Sequence, residues 1–184
     1  MKDNLFTNPV KENLVRPGNS SLFLLLSFES LETYLKVKQN CQSAFSEILF
    51  ESNPLPKWTP DSSEGLQIKV GSNTRIFSFK KQISRESLPD IKKKCIKIRN
   101  KNIDKDPSLK IIPGYLSSHN VILSATSDDF HRIYLHHGVY AEIIYKYEKL
   151  RYHPLPEAAS FFSQQEVKYF FTTLREAFIK SIKD

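Results

Sequence analysis

The stretch HRIYLHHGVYAEI (His131–Ile143) decides how this chain is read. Apolar and polar side chains alternate on either side of one glycine, as they do in two antiparallel strands joined by a tight turn. A three-residue loop, His136-His137-Gly138, with Gly138 left-handed in a bulge, sets Leu135 opposite Val139 and Ile133 opposite Ala141. Tyr134 then faces Tyr140, and Arg132 faces Glu142, on the other side of the ribbon. Such cross-strand pairs each stabilise a sheet by roughly 0.2–1 kcal/mol. A two-residue loop, His137-Gly138, would bring Glu142 against Ile133 on the apolar side, and the burial pattern argues against it. The polar residues of the arms are thus explained by one another without a ligand.

Working outward, SHNVILSAT supplies an apolar strand before the hairpin, and Tyr145 and Tyr147 prolong its second arm up to an HPLP turn at His153–Pro156. Ser163-Gln-Gln-Glu166 is a capping box ahead of a stripe of Val167, Phe170, Phe171, Leu174, Phe178 and Ile182, which predicts a helix docked on the sheet. At the other end, SLFLLLSFE (Ser21–Glu29) is a continuous apolar run that suits a strand buried on both faces. Ser30 is an N-cap with Glu32 in the first turn, and Leu31, Tyr34, Val37, Cys41 and Phe45 recur at helical spacing. EILFES is a second strand, closed by the proline-rich loop NPLPKWTPDSSEG. LQIKV and TRIFSF flank Gly71-Ser-Asn73 as a hairpin, and Ser87 with Asp90 opens a second helix with Pro89 in its first turn. Regular βαβ alternation is missing. The expected fold is α+β, a mainly antiparallel sheet with two to three helices packed on one side. Residues 1–20 read as a flexible tail and 21–184 as a single domain.

Composition is that of a globular chain, and the longest apolar run, Leu22–Leu26, is far short of the roughly 20 residues a spanning helix needs. The N-terminus lacks the apolar core of a secretory signal, and Cys41 and Cys95 sit on apolar helix stripes as buried thiols, so a cytoplasmic protein is expected. The net charge of +7 is concentrated: Lys80–Lys110 holds 11 Lys or Arg against four acids, and the remainder is neutral. Leu88, Ile91, Cys95 and Ile98 line one side of the second helix, with Lys93, Lys94, Lys97 and Lys101 largely on the other. A basic helix face attracts phosphates, although long basic side chains are also ordinary surface cover.

No phosphate-cradling glycine loop, dinucleotide fingerprint or nucleophile elbow occurs. His136 and His137 are adjacent and point apart, while His119, His131 and His153 could meet only through the fold. No metal or cofactor is therefore expected.

From Pro113 onward, PGYLSSHNVILSATSDDFHRIYLHHGVYAEI resembles the bacterial domain-of-unknown-function family 4416. That family's signature runs D-P-G-Y-L, an apolar strand ending in S-T or A-T, then an H-R-I-Y-L hairpin with an I-Y-A-E-V second arm. Pro113, Gly114, Tyr115, Leu116, Thr126, His131–Leu135, Gly138 and Tyr140–Glu142 match it. Upstream, ESNPLP and LPDIKKK resemble the family's E-S-E-P-F-P and L-x-E-I-K. Departures occur at Ile112, which replaces an acid, at TPDSSEG (Thr59–Gly65) and at PEAASFFS (Pro156–Ser163). The helix beyond I-K is acidic in relatives and basic here, which implies a changed electrostatic partner. The resemblance brings no established activity. Some members carry a GTP-binding label, for which this chain has no fingerprint.

These readings lead first to a non-enzymatic binding or accessory domain. Its partner would be nucleic acid or another anion, held by Lys93, Lys94, Lys97 and Lys101 as point charges and Arg99 as a fork. An alternative places a nucleotide- or small-molecule-processing site beside the hairpin, with His131 as acid or base, Arg132 as anion clamp, Glu142 as second carboxylate and Tyr115, Tyr134 and Tyr140 as walls. A third is a purely structural or complex-forming domain, marked by an exposed apolar patch.

Overall fold

A computed structural model describes residues 12–60 and 69–183. Its centre is the apolar run read above as a doubly buried strand. All nine residues of β1 (Ser20–Phe28) are buried. Because successive side chains point to opposite faces, Leu22, Leu24, Leu26 and Phe28 enter one core while Phe23 and Leu25 enter another. Such a strand needs cover on both faces.

The remaining elements supply it. After β1 come α1 (Leu31–Ala44), β2 (Ile48–Glu51), β3 (Asn73–Ile83) and α2 (Leu88–Asn100). Next are β4 (Lys110–Leu116), β5 (Asn120–Ala125), β6 (Arg132–His136), β7 (Val139–Glu148), β8 (Arg151–Pro154) and α3 (Gln165–Ser181). The eight strands form one antiparallel sheet in the order β2-β3-β1-β4-β5-β7-β6, and β8 also pairs with β7. The fold is α+β, as expected. Two helices, α1 and α2, share a face with Leu22, Leu24 and Leu26. The third, α3, lies on the opposite face, not on one side with the others as expected, because the doubly buried β1 needs cover there too; Phe171 meets Phe23 edge-on at 4.9 Å.

Local sequence explains most boundaries. Ser30 caps α1, its Oγ accepting from the Thr33 N–H at 3.2 Å. Asp106, 77 residues away from Glu29, secures the same corner: its Oδ2 accepts the N–H groups of Glu29 and Ser30 at 2.8 and 2.9 Å. Its Oδ1 accepts from the Ser108 N–H at 3.1 Å and hydroxyl at 2.5 Å. Cys41 and Cys95 are free and fully buried between the helices and the sheet, and burial pushes the Cys41 thiol up to about 12 and that of Cys95 up as well. Gly114 is required by close approach. A Cβ there would lie 2.3 Å from the Ile122 carbonyl oxygen and 2.4 Å from the Phe23 ring.

Four local expectations are corrected. Ser163 does not cap α3; Ser160–Ser163 forms a 3-10 turn that buries Phe161 and Phe162, leaving extended Gln164 at the cap without a side-chain bond. Ser87 likewise closes a 3-10 turn, Arg85–Ser87, and its hydroxyl donates to the Ser84 carbonyl at 2.6 Å instead of capping α2. In both places a preceding turn has taken the hydroxyl-bearing residue into helical geometry. No hairpin forms across Gly71–Asn73 from the described part of LQIKV: Lys69 and Val70 are not in a strand, and 66–68 lie outside the described residues. Both edges of early β3 are occupied, by β1 on one side and by Ser52 and Leu55 on the other. The HPLP stretch is not a turn at its start either, since His153 and Pro154 belong to β8. The reversal comes earlier, at Lys149 and Leu150, both with positive φ.

Candidate functional site

The hairpin keeps three of its four expected pairs: Arg132 opposite Glu142, Ile133 opposite Ala141 and Tyr134 opposite Tyr140. The fourth is different. Val139 pairs with His136, and the turn is the two residues His137 and Gly138, with φ of 54° and 75°. Positive φ at both positions is the type I′ geometry that matches strand twist. A bulge between Tyr134 and His136 absorbs Leu135, which restores the register that a two-residue turn alone would shift.

Burial of the ribbon is inverted relative to the apolar pattern. Ile133 is 63% exposed, whereas the side chains of Arg132 and Glu142 are 1% and 6% exposed. Glu142 pairs across β5 with Leu123, so the charged side of the hairpin continues the α3-side core. Ile133 lies past the cover of α2, which packs on β4 and β5. Phe130 and Tyr134 are exposed beside it.

The charged residues form a connected chain. Arg132 Nε donates to Glu142 Oε2 at 3.2 Å, and Arg132 Nη1 donates to Ser127 Oγ at 2.6 Å. His131 stands between two carboxylates, with Nε2 3.5 Å from Glu142 Oε1 and Nδ1 3.6 Å from Asp129 Oδ1. His131, Arg132 and Glu142 therefore converge, and Asp129 and Ser127, which the sequence reading passed over, join them. Tyr134 and Tyr140 meet edge-on at 5.2 Å on the same ribbon. Tyr115 does not join the group. It pairs with Leu22 and Ile122, one residue out of phase with Leu123 and Glu142, and so faces the α1–α2 side. Burial there pushes its phenol up, with Arg85 acting the other way. None of the five main clefts among the described residues has His131, Arg132 or Glu142 in its wall.

The second candidate surface is α2. Lys94, Lys97 and Lys101 are exposed and make no ion pair among the described residues; Lys93 sits 3.5 Å from Asp90 one turn back. Arg99 leaves this row. Its Nε donates to the Leu109 carbonyl at 2.8 Å, which turns it toward β4. Lys92, part of the basic run but not of the expected anion-binding set, is 7% exposed and lies on that same flank. No group of three or more His, Cys, Asp or Glu among the described residues is placed to hold a metal ion. No described helix is long and apolar enough to cross a membrane.

The residues shared with the resembling family have visible structural work. Glu51 of ESNPLP receives the Tyr34 hydroxyl and the Lys38 ammonium; burial raises its pKa, and the two bonds outweigh that and hold it below the ordinary carboxylate value. Ser52 binds Ile76 through its N–H and hydroxyl, at 2.8 and 3.0 Å. Gly114 lets β4 meet β5, and Arg132 meets Glu142 inside the hairpin. The family described as Domain of unknown function (DUF4416) matches residues 19–178. The chain belongs to this DUF4416 family. Its matched span runs from the start of β1 into the last turns of α3, so the whole sheet and all three helices are the family's domain. Comparisons with curated proteins and with solved structures gave no match.

Proposed function

We propose that this DUF4416 chain is a non-enzymatic binding domain that docks on nucleic acid through the outer face of α2. The observation that carries the reading is the placement of charge. The segment Lys80–Lys110 holds the whole formal excess of +7, and α2 with its C-cap turns Lys94, Lys97 and Lys101 to solvent without an ion pair among the described residues. A rigid helix presenting ammonium groups at successive turns suits a regularly spaced phosphate backbone better than it suits one small anion. Lys93 extends the row, and Arg99 leads from it toward the sheet.

A second reading keeps a site at the hairpin, and the meeting of His131 with Asp129 and Glu142 supports it. The direct Arg132–Glu142 bond favours the first, because the clamp and the carboxylate of that hypothetical site are engaged with each other.

Fluorescence anisotropy with a short single-stranded RNA tests the first reading. Binding is expected to weaken steeply with salt, and Lys94→Glu, Lys97→Glu and Lys101→Glu combined are expected to weaken it at least tenfold. Losing three contacts should also flatten the log–log salt slope by about two. Binding that ignores salt, or survives the triple charge reversal in a protein that melts normally, would overturn it.

A further inference from the structure

Among the described residues three strands keep a free side: β2 and β6 at the ends of the sheet, and β8 on the outer side of β7. Bulges break two of them, β2 between Ile48 and Phe50 and β6 between Tyr134 and His136. A bulge twists an edge away from further pairing. β8 runs without one, Arg151–Pro154 matching β7 residue for residue. A cleft of about 430 Å³ lies between β8 and one flank of α3.

Strand phase shows which backbone groups face that cleft. Lys149 and Leu150 both have positive φ and make a two-residue turn, which closes on Glu148 and Arg151 as a hydrogen-bonded pair. Bonded and unbonded pairs then alternate, and the Leu155 N–H donates to the Ile144 carbonyl at 3.0 Å in the same phase. Tyr152 therefore turns both its N–H and its C=O outward, and Pro154 its C=O. The side chain of Tyr152 is 5% exposed and packs in the α3-side core, so Arg151 and His153 alternate to the other face. All three line the cleft, together with Lys168 and Tyr169 of α3. A cleft walled by both faces of one strand runs along its edge.

Its charge is of one sign. Arg151 and Lys168 make no ion pair among the described residues, and no acidic side chain of the described residues lines the cleft. Arg151 Nε donates to His153 Nε2 at 3.3 Å, which holds the guanidinium along the strand. A second copy of β8 would bring only Arg, Tyr, His and Pro to this edge and leave the cations unmatched.

We infer that the free edge of β8 binds an extended acidic peptide, which adds as an antiparallel strand beside α3. One peptide residue exchanges both backbone bonds with Tyr152 and, like Tyr152, points toward α3. Its two neighbours lie opposite Arg151 and His153 on the other face, where carboxylates meet the guanidinium. The residue between them is apolar and packs beside Tyr169, which is 74% exposed. The pattern that fits is acid, apolar, acid.

Fluorescence anisotropy on the full chain, with a labelled peptide alternating glutamate and valine, tests this. N-methylation of the valine amides, which face β8, is expected to weaken binding about tenfold, whereas N-methylation of the glutamate amides leaves it nearly unchanged. Lysine in place of glutamate should abolish binding. Arg151→Glu combined with Lys168→Glu should weaken it about tenfold in a protein that melts normally. Since α2 and α3 cover opposite faces of the sheet, saturating single-stranded RNA should leave the peptide bound. Failure of the peptide to bind, equal loss on methylating either set of amides, or binding that survives the charge reversals overturns the strand-addition site. Displacement of the peptide by RNA also overturns it, and would give the edge to nucleic acid.

Discussion

Arg132→Met is expected to cost about 4 kcal/mol of stability, the range seen when one partner is removed from a buried ion pair. The reason is the charge left behind. Glu142 is 6% exposed and bonded to the guanidinium through Oε2, so removing Arg132 strands a carboxylate inside the hairpin. His131 at 3.5 Å from the other oxygen offsets part of the loss when protonated. Arg132→Met combined with Glu142→Leu is expected to recover most of it, because two apolar side chains of similar length need no desolvated charge. Thermal unfolding measures both; for a domain of this size the single variant should melt roughly 10 °C lower. A single variant that melts like the parent would show that the pair is not a structural bond, and would move attention back to the hairpin as a site.

Asp106→Asn is the second large effect, about 3 kcal/mol. Each carboxylate oxygen of Asp106 accepts two donors, Glu29 and Ser30 N–H on one side, Ser108 N–H and hydroxyl on the other. An amide would turn its NH2 against one of those pairs, whichever way it flipped. The same geometry fixes the pH dependence. Burial raises the Asp106 pKa, but the Ser108 hydroxyl and the three N–H groups outweigh burial, so the folded pKa lies below the ordinary 3.8. A depressed folded pKa means that the stabilisation is complete above the unfolded value. It is lost as the pH falls through about 4 toward the folded pKa. Asp106→Asn should therefore be less stable at neutral pH and show a flatter acid limb in denaturant unfolding. A parallel acid limb would contradict this account of the corner.

Features set by short-range periodicity were legible in the sequence. The β1 run, the Ser30 cap, most of the buried stripes of α1, α2 and α3, and three hairpin pairs follow from spacing alone, whereas Leu31 and Ile182, at the outer ends of their stripes, are exposed. The doubly buried β1 in fact already required cover on both faces, which is where α3 went. What was hidden depends on competition between distant segments. Ser163-Gln-Gln-Glu166 is a sound capping box locally, yet burying Phe161 and Phe162 in a 3-10 turn outweighed it. The reversal before β8 uses Lys149 and Leu150, which carry none of the usual turn residues. Which side of the hairpin is buried depends on how far α2 reaches across the sheet, and no local pattern encodes that.

The central claim is that the outer face of α2 forms the binding surface. Mapping backbone amide shifts during titration with a short single-stranded RNA tests it most directly. The account predicts perturbations along Lys93–Lys101, with the amides of Arg132–Glu142 unmoved. Perturbations centred on His131, Arg132 and Glu142, with α2 silent, would contradict it.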